Sequence, residues 1–423
     1  MPFAERQFIT MKKLIGNAVV GQSGGPTAAI NATLAGVIKG VLDKKSNDGS
    51  IKTLYGMRNG IEGLLEERLI SLSDSFDEAR LEQLKHTPAA ALGSCRKKLP
   101  KLGEGEETYA RILEVFKKYD IRYFFYIGGN DSMDTVAKLS EFMRSQNYEM
   151  RILGIPKTID NDLVATDHTP GFGTAAKYIA TTIQEIIRDC AVYKVKAVTI
   201  VEIMGRNAGW LAASADIGRF DGRESPDATY FPERPFSMES FFSDVEAAFE
   251  KHPNVVIAVS EGIRFADGRY VGEGQQSGAV DVFGHKYLSG AAKVLEGAVK
   301  EKFGCKVRSI ELSLPQRCAS HLGSKTDLDE SVLLGATAVR DAVCDGASGD
   351  MMVYERVSSS PYLCKIERRA VSGIANAEKL LPAEYINENG NGITAACAEY
   401  ILPLIAGESY PEYKNGMPVY LIL

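Results

Sequence analysis

Five times along this 423-residue chain a short apolar run ends in glycine or proline and polar residues: at 13–21, 121–129, 150–160, 195–205 and 253–262. Runs of that length, rich in β-branched and aromatic residues, predict buried strands. Helical spacing lies between them, as in "AAINATLAGVIKGVL" (28–42) and "ETYARILEVFKKY" (107–119). Strand–helix alternation of this kind predicts an α/β fold with a largely parallel sheet covered on both faces. Ligands of such sheets bind beyond the carboxyl ends of the strands. The polar residues directly after each run are therefore the candidates for function.

Composition removes several other classes. With 45% hydrophobic and 25% charged residues the chain is neither disordered nor fibrous. A net charge of −6 argues against nucleic acid or an anionic membrane as partner. The longest uncharged stretch, 14–38, is interrupted by five glycines, Pro26, Asn17, Gln22, Ser23 and Asn31, so it does not read as a membrane span. Seven scattered cysteines without a CxxC pair fit reduced thiols, and five histidines leave little for a histidine-based metal cluster. With no signal-peptide pattern at the N-terminus, a cytoplasmic protein is the expectation.

The first candidate segment is "GQSGGPTAAIN" (21–31), a glycine-rich strand-to-helix turn. Its backbone amides and the positive end of the next helix suit a phosphate, although a glycine turn needed only for packing reads the same way. It matches neither the dinucleotide fingerprint nor the Walker loop. "YIGGNDSMDT" (126–135) puts Asp131 where two glycines allow close backbone approach, or simply caps a helix. "GIPKTIDNDL" (154–163) sets Lys157, Asp160 and Asp162 within six positions of a strand end. One carboxylate there can take a proton from a hydroxyl while the lysine neutralises phosphoryl charge. Arg96, in "LGSCRKKLP" (92–100), suits a bidentate phosphate contact. Lys97 and Lys98 beside it read as a solvated basic loop. "EIMGRNAGW" (202–210), "VSEGI" (259–263) and the group Arg308, Arg317 and His321 add further polar residues, each structural when taken singly. "YINENGNGIT" (385–394) reads as a surface turn.

Taken together and in this order, these segments resemble the phosphofructokinase family, from about residue 13 to 370, and within it the pyrophosphate-dependent branch. The resemblance implies two similar Rossmann-like α/β/α domains with the active site in the cleft between them. The expected division is 1–173 plus 321–368 for the phosphoryl donor and 174–320 plus 369–423 for fructose 6-phosphate. It further implies Gly24 and Gly25 against the donor and Arg96 on its phosphates. Asp160 would be the base for the sugar 1-hydroxyl, flanked by Thr158 and Asp162. Met204, Gly205 and Arg206 would contact the sugar phosphate and Glu261 its hydroxyls. Arg317 would bind the 6-phosphate, with Arg308 contributed across a subunit interface of a homodimer or homotetramer.

Donor choice rests by the same resemblance on Asp131 and Lys157, where ATP-using relatives commonly carry glycine. A carboxylate at the first position opposes a nucleotide α-phosphate. Like charges in a partly dehydrated cleft cost on the order of several kcal/mol, and even ~3 kcal/mol weakens binding roughly a hundredfold. Three positions depart from the family pattern. Asn130 replaces an aspartate associated with Mg2+, and an amide is a poorer ligand for a hard cation, so magnesium is expected to ride on the pyrophosphate with Asp131 or Asp160 holding its waters. Leu314 replaces a hydrogen-bonding residue three positions before Arg317. Ala197 stands where many relatives have an intersubunit arginine, with Lys194 and Lys196 nearby. The expected activity is reversible phosphoryl transfer from pyrophosphate to fructose 6-phosphate. An ATP-dependent kinase and a non-catalytic sugar-phosphate-binding subunit are the alternatives.

Overall fold

The computed structural model describes residues 13–273, 290–374 and 377–423, so residues 1–12 of the first expected domain lie outside the described residues. In chain order the strands are β1 (Gly16–Gln22), β2 (Ile51–Met57), β3 (Leu69–Ser71), β4 (Ile121–Gly128) and β5 (Arg151–Pro156). They continue as β6 (Ala197–Ile203), β7 (Ala228–Tyr230), β8 (Pro235–Phe236), β9 (Asn254–Ser260), β10 (Arg264–Phe265) and β11 (Lys306–Glu311). After β12 (Gly323–Ser324) the chain forms the hairpin β13 (Asp350–Ser359) and β14 (Tyr362–Ala370). Two sheets dominate. One has the order β14-β13-β5-β4-β1-β2-β3, and the other β11-β6-β9-β7. The smaller sheet is parallel throughout, and the larger is parallel except at its edge strands β3 and β14.

The β4 sequence explains its central place. Tyr123, Phe124, Phe125 and Tyr126 are all buried, so both faces of the strand are covered and no polar alternation is needed. Tyr123 and Phe125 join Ile30, Leu34 and Ile38 of the Ile30–Leu42 helix on one face. Phe124 and Tyr126 join Tyr109, Ile112 and Phe116 of the Glu106–Lys118 helix on the other. The smaller sheet is layered likewise: Val201 and Ala258 pack toward Trp210 and the Phe172–Cys190 helix, and Val198 and Ile257 toward Phe241 and Leu295. A late helix, Lys325–Cys344, returns to the first unit and crosses Ile30–Leu42 closely. A Cβ at Gly36 would sit 2.1 Å from the Val332 carbonyl, and one at Gly335 2.2 Å from that of Thr33.

Several strands escaped the apolar-run reading: β2, β7, β11 and the β13–β14 hairpin. β11 ("KVRSIE") is an edge strand with alternating polar residues, and the hairpin carries surface ion pairs such as Lys365–Glu355 and Arg369–Glu355. The 385–394 turn is less free than its polarity predicts, because Ile386 and Ile393 bridge each other and are buried in the Trp210 cluster. The C-terminal segment touches both units. Its Ala395–Ile401 helix lies in the Trp210 cluster, while Leu421 packs with the β1 core and donates its N–H to Thr87 Oγ1 at 2.9 Å. All seven cysteines are free, and no described helix is long and apolar enough to cross a membrane.

Candidate active site

The carboxyl ends of both sheets open into one cleft of about 290 Å³. From the larger sheet come Ser23, Gly24 and Gly25 after β1, Gly129, Asn130, Asp131 and Ser132 after β4, and Lys157, Thr158, Asp160 and Asp162 after β5. From the smaller sheet come Arg206, Asn207 and Ala208 after β6 and Glu261 after β9. Arg96, Lys97 and Glu378 complete the lining.

The β1 turn is held from three sides. Ser23 N–H donates to the Ile127 carbonyl at 2.9 Å, Gly24 N–H to that of Cys95 at 3.0 Å, and Ser94 Oγ to the Gly24 carbonyl at 2.6 Å. Gly24 has φ +77°, where a side chain is strained. The Ser23 and Gly24 amides are thus engaged by backbone carbonyls, while Gly24 and Gly25 both line the cleft. Lys157 Nζ donates to the Gly25 carbonyl at 2.5 Å and lies 3.3 Å from where a Gly24 Cβ would stand.

Asp131 sits in the first turn of the Asn130–Ser145 helix, at its positive end. Lys98 reaches it with an N···O separation of 2.8 Å. Lys98 is exposed as a solvated loop residue should be, yet it is one half of an ion pair at the cleft. Asn130 Nδ2 donates to the Ala377 carbonyl at 3.2 Å, whereas its buried Oδ1 has no hydrogen-bond partner among the described residues.

The turn after β5 carries the densest chemistry. Asp160 N–H donates to Thr158 Oγ1 at 3.1 Å, and Thr169 Oγ1 donates to the Thr158 carbonyl at 2.8 Å. Between the two aspartates Asn161 adopts φ +55°, a left-handed conformation that asparagine tolerates better than most residues. Its amide is gripped by two distant side chains, donating to Tyr400 Oη at 2.9 Å and accepting from Lys379 Nζ at 3.3 Å. Lys379 N–H also donates to the Asp162 carbonyl at 2.7 Å. On the other side of the cleft Gly205 N–H donates to Glu261 Oε1 at 3.3 Å, and Ser260 Oγ to the Gly205 carbonyl at 2.5 Å. Asn207 Nδ2 donates to Glu378 Oε1 at 2.9 Å.

Burial unsettles the charges here. It raises the Asp160 carboxyl above its usual value despite Arg206 and Lys157. It pushes Asp162 up to about 7 and Glu261 up to about 8, in both cases helped by the Asp160 charge. It lowers Lys157 to about 8, with Asp160 opposing. Groups poised this close to neutrality can exchange protons with a bound hydroxyl, as general acid–base chemistry requires.

Not every residue singled out from the sequence lines the cleft. Met204 and Gly205 contribute backbone: Met204 N–H donates to Gln316 Oε1 at 3.2 Å. Arg317 is half-buried beside the donor turn, its Nη1 3.6 Å from where a Gly25 Cβ would lie. Leu314 is 54% exposed. Arg308 lies on edge strand β11 in a separate groove with Cys190, Tyr193 and Asn254. Ser132, Asn207, Glu378 and Lys379 were missed. Ser132 and Asn207 lie within segments already singled out, directly after Asp131 and Arg206, but nothing in the sequence around Glu378 and Lys379 ties them to residues 158–162.

The chain matches the phosphofructokinase family model over residues 17–340. It is 42% identical to the pyrophosphate–fructose 6-phosphate 1-phosphotransferase of Halomonas elongata over 404 residues, 95% of this chain and 94% of that one. It is also 42% identical to the protein of the same name from Methylococcus capsulatus over 410 residues, 96% of each. The crystal structure of the pyrophosphate-dependent phosphofructokinase of Nitrosospira multiformis superposes with a TM-score of 0.85 at 39% identity, covering 96% of both chains. Two α/β units whose strand ends converge on buried aspartates and a lysine, matched along nearly the whole sequence, make this chain an enzyme of the phosphofructokinase family.

Proposed function

We propose that this enzyme transfers a phosphoryl group reversibly between pyrophosphate and the 1-hydroxyl of fructose 6-phosphate, giving fructose 1,6-bisphosphate and phosphate. The observation that carries this reading is the cleft's combination of Asp131, Lys157 and Asp160 on neighbouring strand ends. The larger-sheet unit takes the donor and the smaller-sheet unit the sugar phosphate. Lys157 and Arg96 neutralise the moving phosphoryl group, whose loose transition state asks the protein mainly for positioning and charge stabilisation. Asp160 accepts the hydroxyl proton, and its raised affinity for protons makes it a stronger base than an ordinary aspartate. Thr158 supports the Asp160 turn, and Asp162 and Glu261, protonated in part near neutrality, hydrogen-bond sugar hydroxyls beside Arg206 and the Met204–Gly205 backbone. Arg317 meets the 6-phosphate. Arg308, outside the cleft of its own chain, acts across a subunit contact of a homo-oligomer, and the enzyme works in the cytoplasm.

Phosphofructokinases generally use a divalent cation, and Mg2+ is the proposed one. The residues present fit it: the buried Asn130 Oδ1 lacks a partner among the described residues, and Asp131 and Asp160 bring carboxylate oxygens to the same cleft. Held there, the cation supplies charge neutralisation for the donor phosphates. The test is initial rates with fructose 6-phosphate and magnesium, comparing pyrophosphate with ATP. Turnover is expected with pyrophosphate and far less with ATP. A preference for ATP overturns the reading.

A further inference from the structure

A carboxylate at the donor site raises a difficulty. Asp131 opposes a nucleotide phosphate, but by the same Coulomb argument it opposes pyrophosphate, which is more highly charged per atom. Lys98 answers it. Its ammonium lies 2.8 Å from Asp131 Oδ1, with the two side chains 47% and 34% exposed. Pairs this accessible contribute little to folding stability, so stability does not account for this one.

The geometry of the pair is built rather than incidental. Three residues before Lys98, the Cys95 carbonyl accepts the Gly24 N–H of the donor turn. Directly after it, Leu99 is buried, and its carbonyl accepts from Lys138 Nζ at 2.9 Å. Lys138 belongs to the Asn130–Ser145 helix, the helix that carries Asp131. The backbone on both sides of Lys98 is therefore tied to the two elements that frame the donor pocket.

We infer that Lys98 is a positioning residue for donor selection. It holds and neutralises the Asp131 carboxylate, so that the carboxylate narrows the pocket against a nucleotide without repelling pyrophosphate. This rests on the pyrophosphate reading above and adds a residue to it.

The experiment is steady-state kinetics of the full chain with magnesium pyrophosphate at saturating fructose 6-phosphate. Wild type, Lys98→Met, Lys98→Arg, Asp131→Gly and the Lys98→Met/Asp131→Gly double variant are compared, with melting temperature as a control. Lys98→Met is expected to raise the pyrophosphate KM about tenfold, with kcat changing much less. Lys98→Arg is expected to recover most of that loss. In the Asp131→Gly background the Lys98→Met effect is expected to vanish, because the charge it leaves uncovered is gone. An unchanged KM in Lys98→Met overturns the inference. So does an equal rise in both backgrounds, which is the result of a direct lysine–phosphate contact, or a lowered melting temperature without a KM change. Each of these leaves wild-type pyrophosphate turnover intact, whereas absence of that turnover in the wild type refutes the functional reading itself.

Discussion

Two buried clusters of charge lie eight residues apart in sequence, one around Asp160 and one around His168, and they resolve burial in opposite ways. At His168 the charges are paired. Its Nδ1 lies 2.8 Å from Asp167 Oδ2 and its Nε2 2.9 Å from Glu330 Oε2, while Arg356 covers Asp167 at 3.1 Å and Tyr362 Oη donates to Glu330. Tyr354 stacks on the imidazole at 4.3 Å between ring centroids. Burial alone would lower the His168 value, but the bonds to Asp167 and Glu330 outweigh it and raise it. Burial would raise Asp167, and His168 with Arg356 outweighs that and lowers it. In the cleft burial wins instead: Asp160, Asp162 and Glu261 rise and Lys157 falls. A cluster whose charges complete one another holds the fold together. One whose charges await a partner is poised to bind and to move protons.

The largest expected effect breaks the comparison at the cleft. Asp160→Asn is expected to lower kcat about 10²- to 10⁴-fold, the range typical of a lost general base. Thermal unfolding of the same variant is expected at or above the wild-type temperature, because the amide relieves a poorly compensated buried charge. A kcat within tenfold of wild type, or a clear loss of stability, would contradict the contrast.

His168→Ala should do the reverse. Removing one member of a buried, paired network costs about 3–5 kcal/mol, with kcat per folded molecule near the wild-type level, since His168 is not among the cleft residues. The cost depends on pH in a definite direction. A histidine raised above its unfolded value of 6.5 contributes fully below that pH, and its contribution is lost as pH rises through the folded value. Denaturant titrations should therefore find the gap between variant and wild type widest in mild acid and narrowing toward alkaline pH. A pH-independent gap would mean that His168 serves by packing alone.

The smallest effect sharpens the cleft side. As pH falls, kcat/KM for pyrophosphate should decline at a value above the ordinary 3.8 of aspartate, as Asp160 takes up a proton. As pH rises it should decline near 8, where Lys157 loses its charge. Lys157→Arg should move the alkaline limb upward, because guanidinium stays protonated there. An alkaline limb left in place by that substitution assigns it to another group.

Much of the site was legible because strand ends announce themselves. The runs at 13–21, 121–129, 150–160, 195–205 and 253–262 are apolar, compact and closed by glycine or proline with polar residues, and the cleft lies at all five. What stayed hidden depended on distant partners. Lys98 reads as one of two exposed lysines until the Asn130–Ser145 helix brings Asp131 to it. Lys379 lies 217 positions beyond Asp162, yet its backbone and ammonium brace the turn that carries Asp160. Arg308 has the same chemistry as Arg317, and only the sheet order puts it on an outer edge while Arg317 lies beside Gly25.

The amino-acid sequence by itself determined the alternation of strands and helices, the family and the reactive residue types, because each is written in local patterns of burial and turn chemistry. Tertiary structure alone decided which charges are completed and which are left poised, because a charge's energy depends on what long-range folding brings within a few ångströms of it and how much water it excludes.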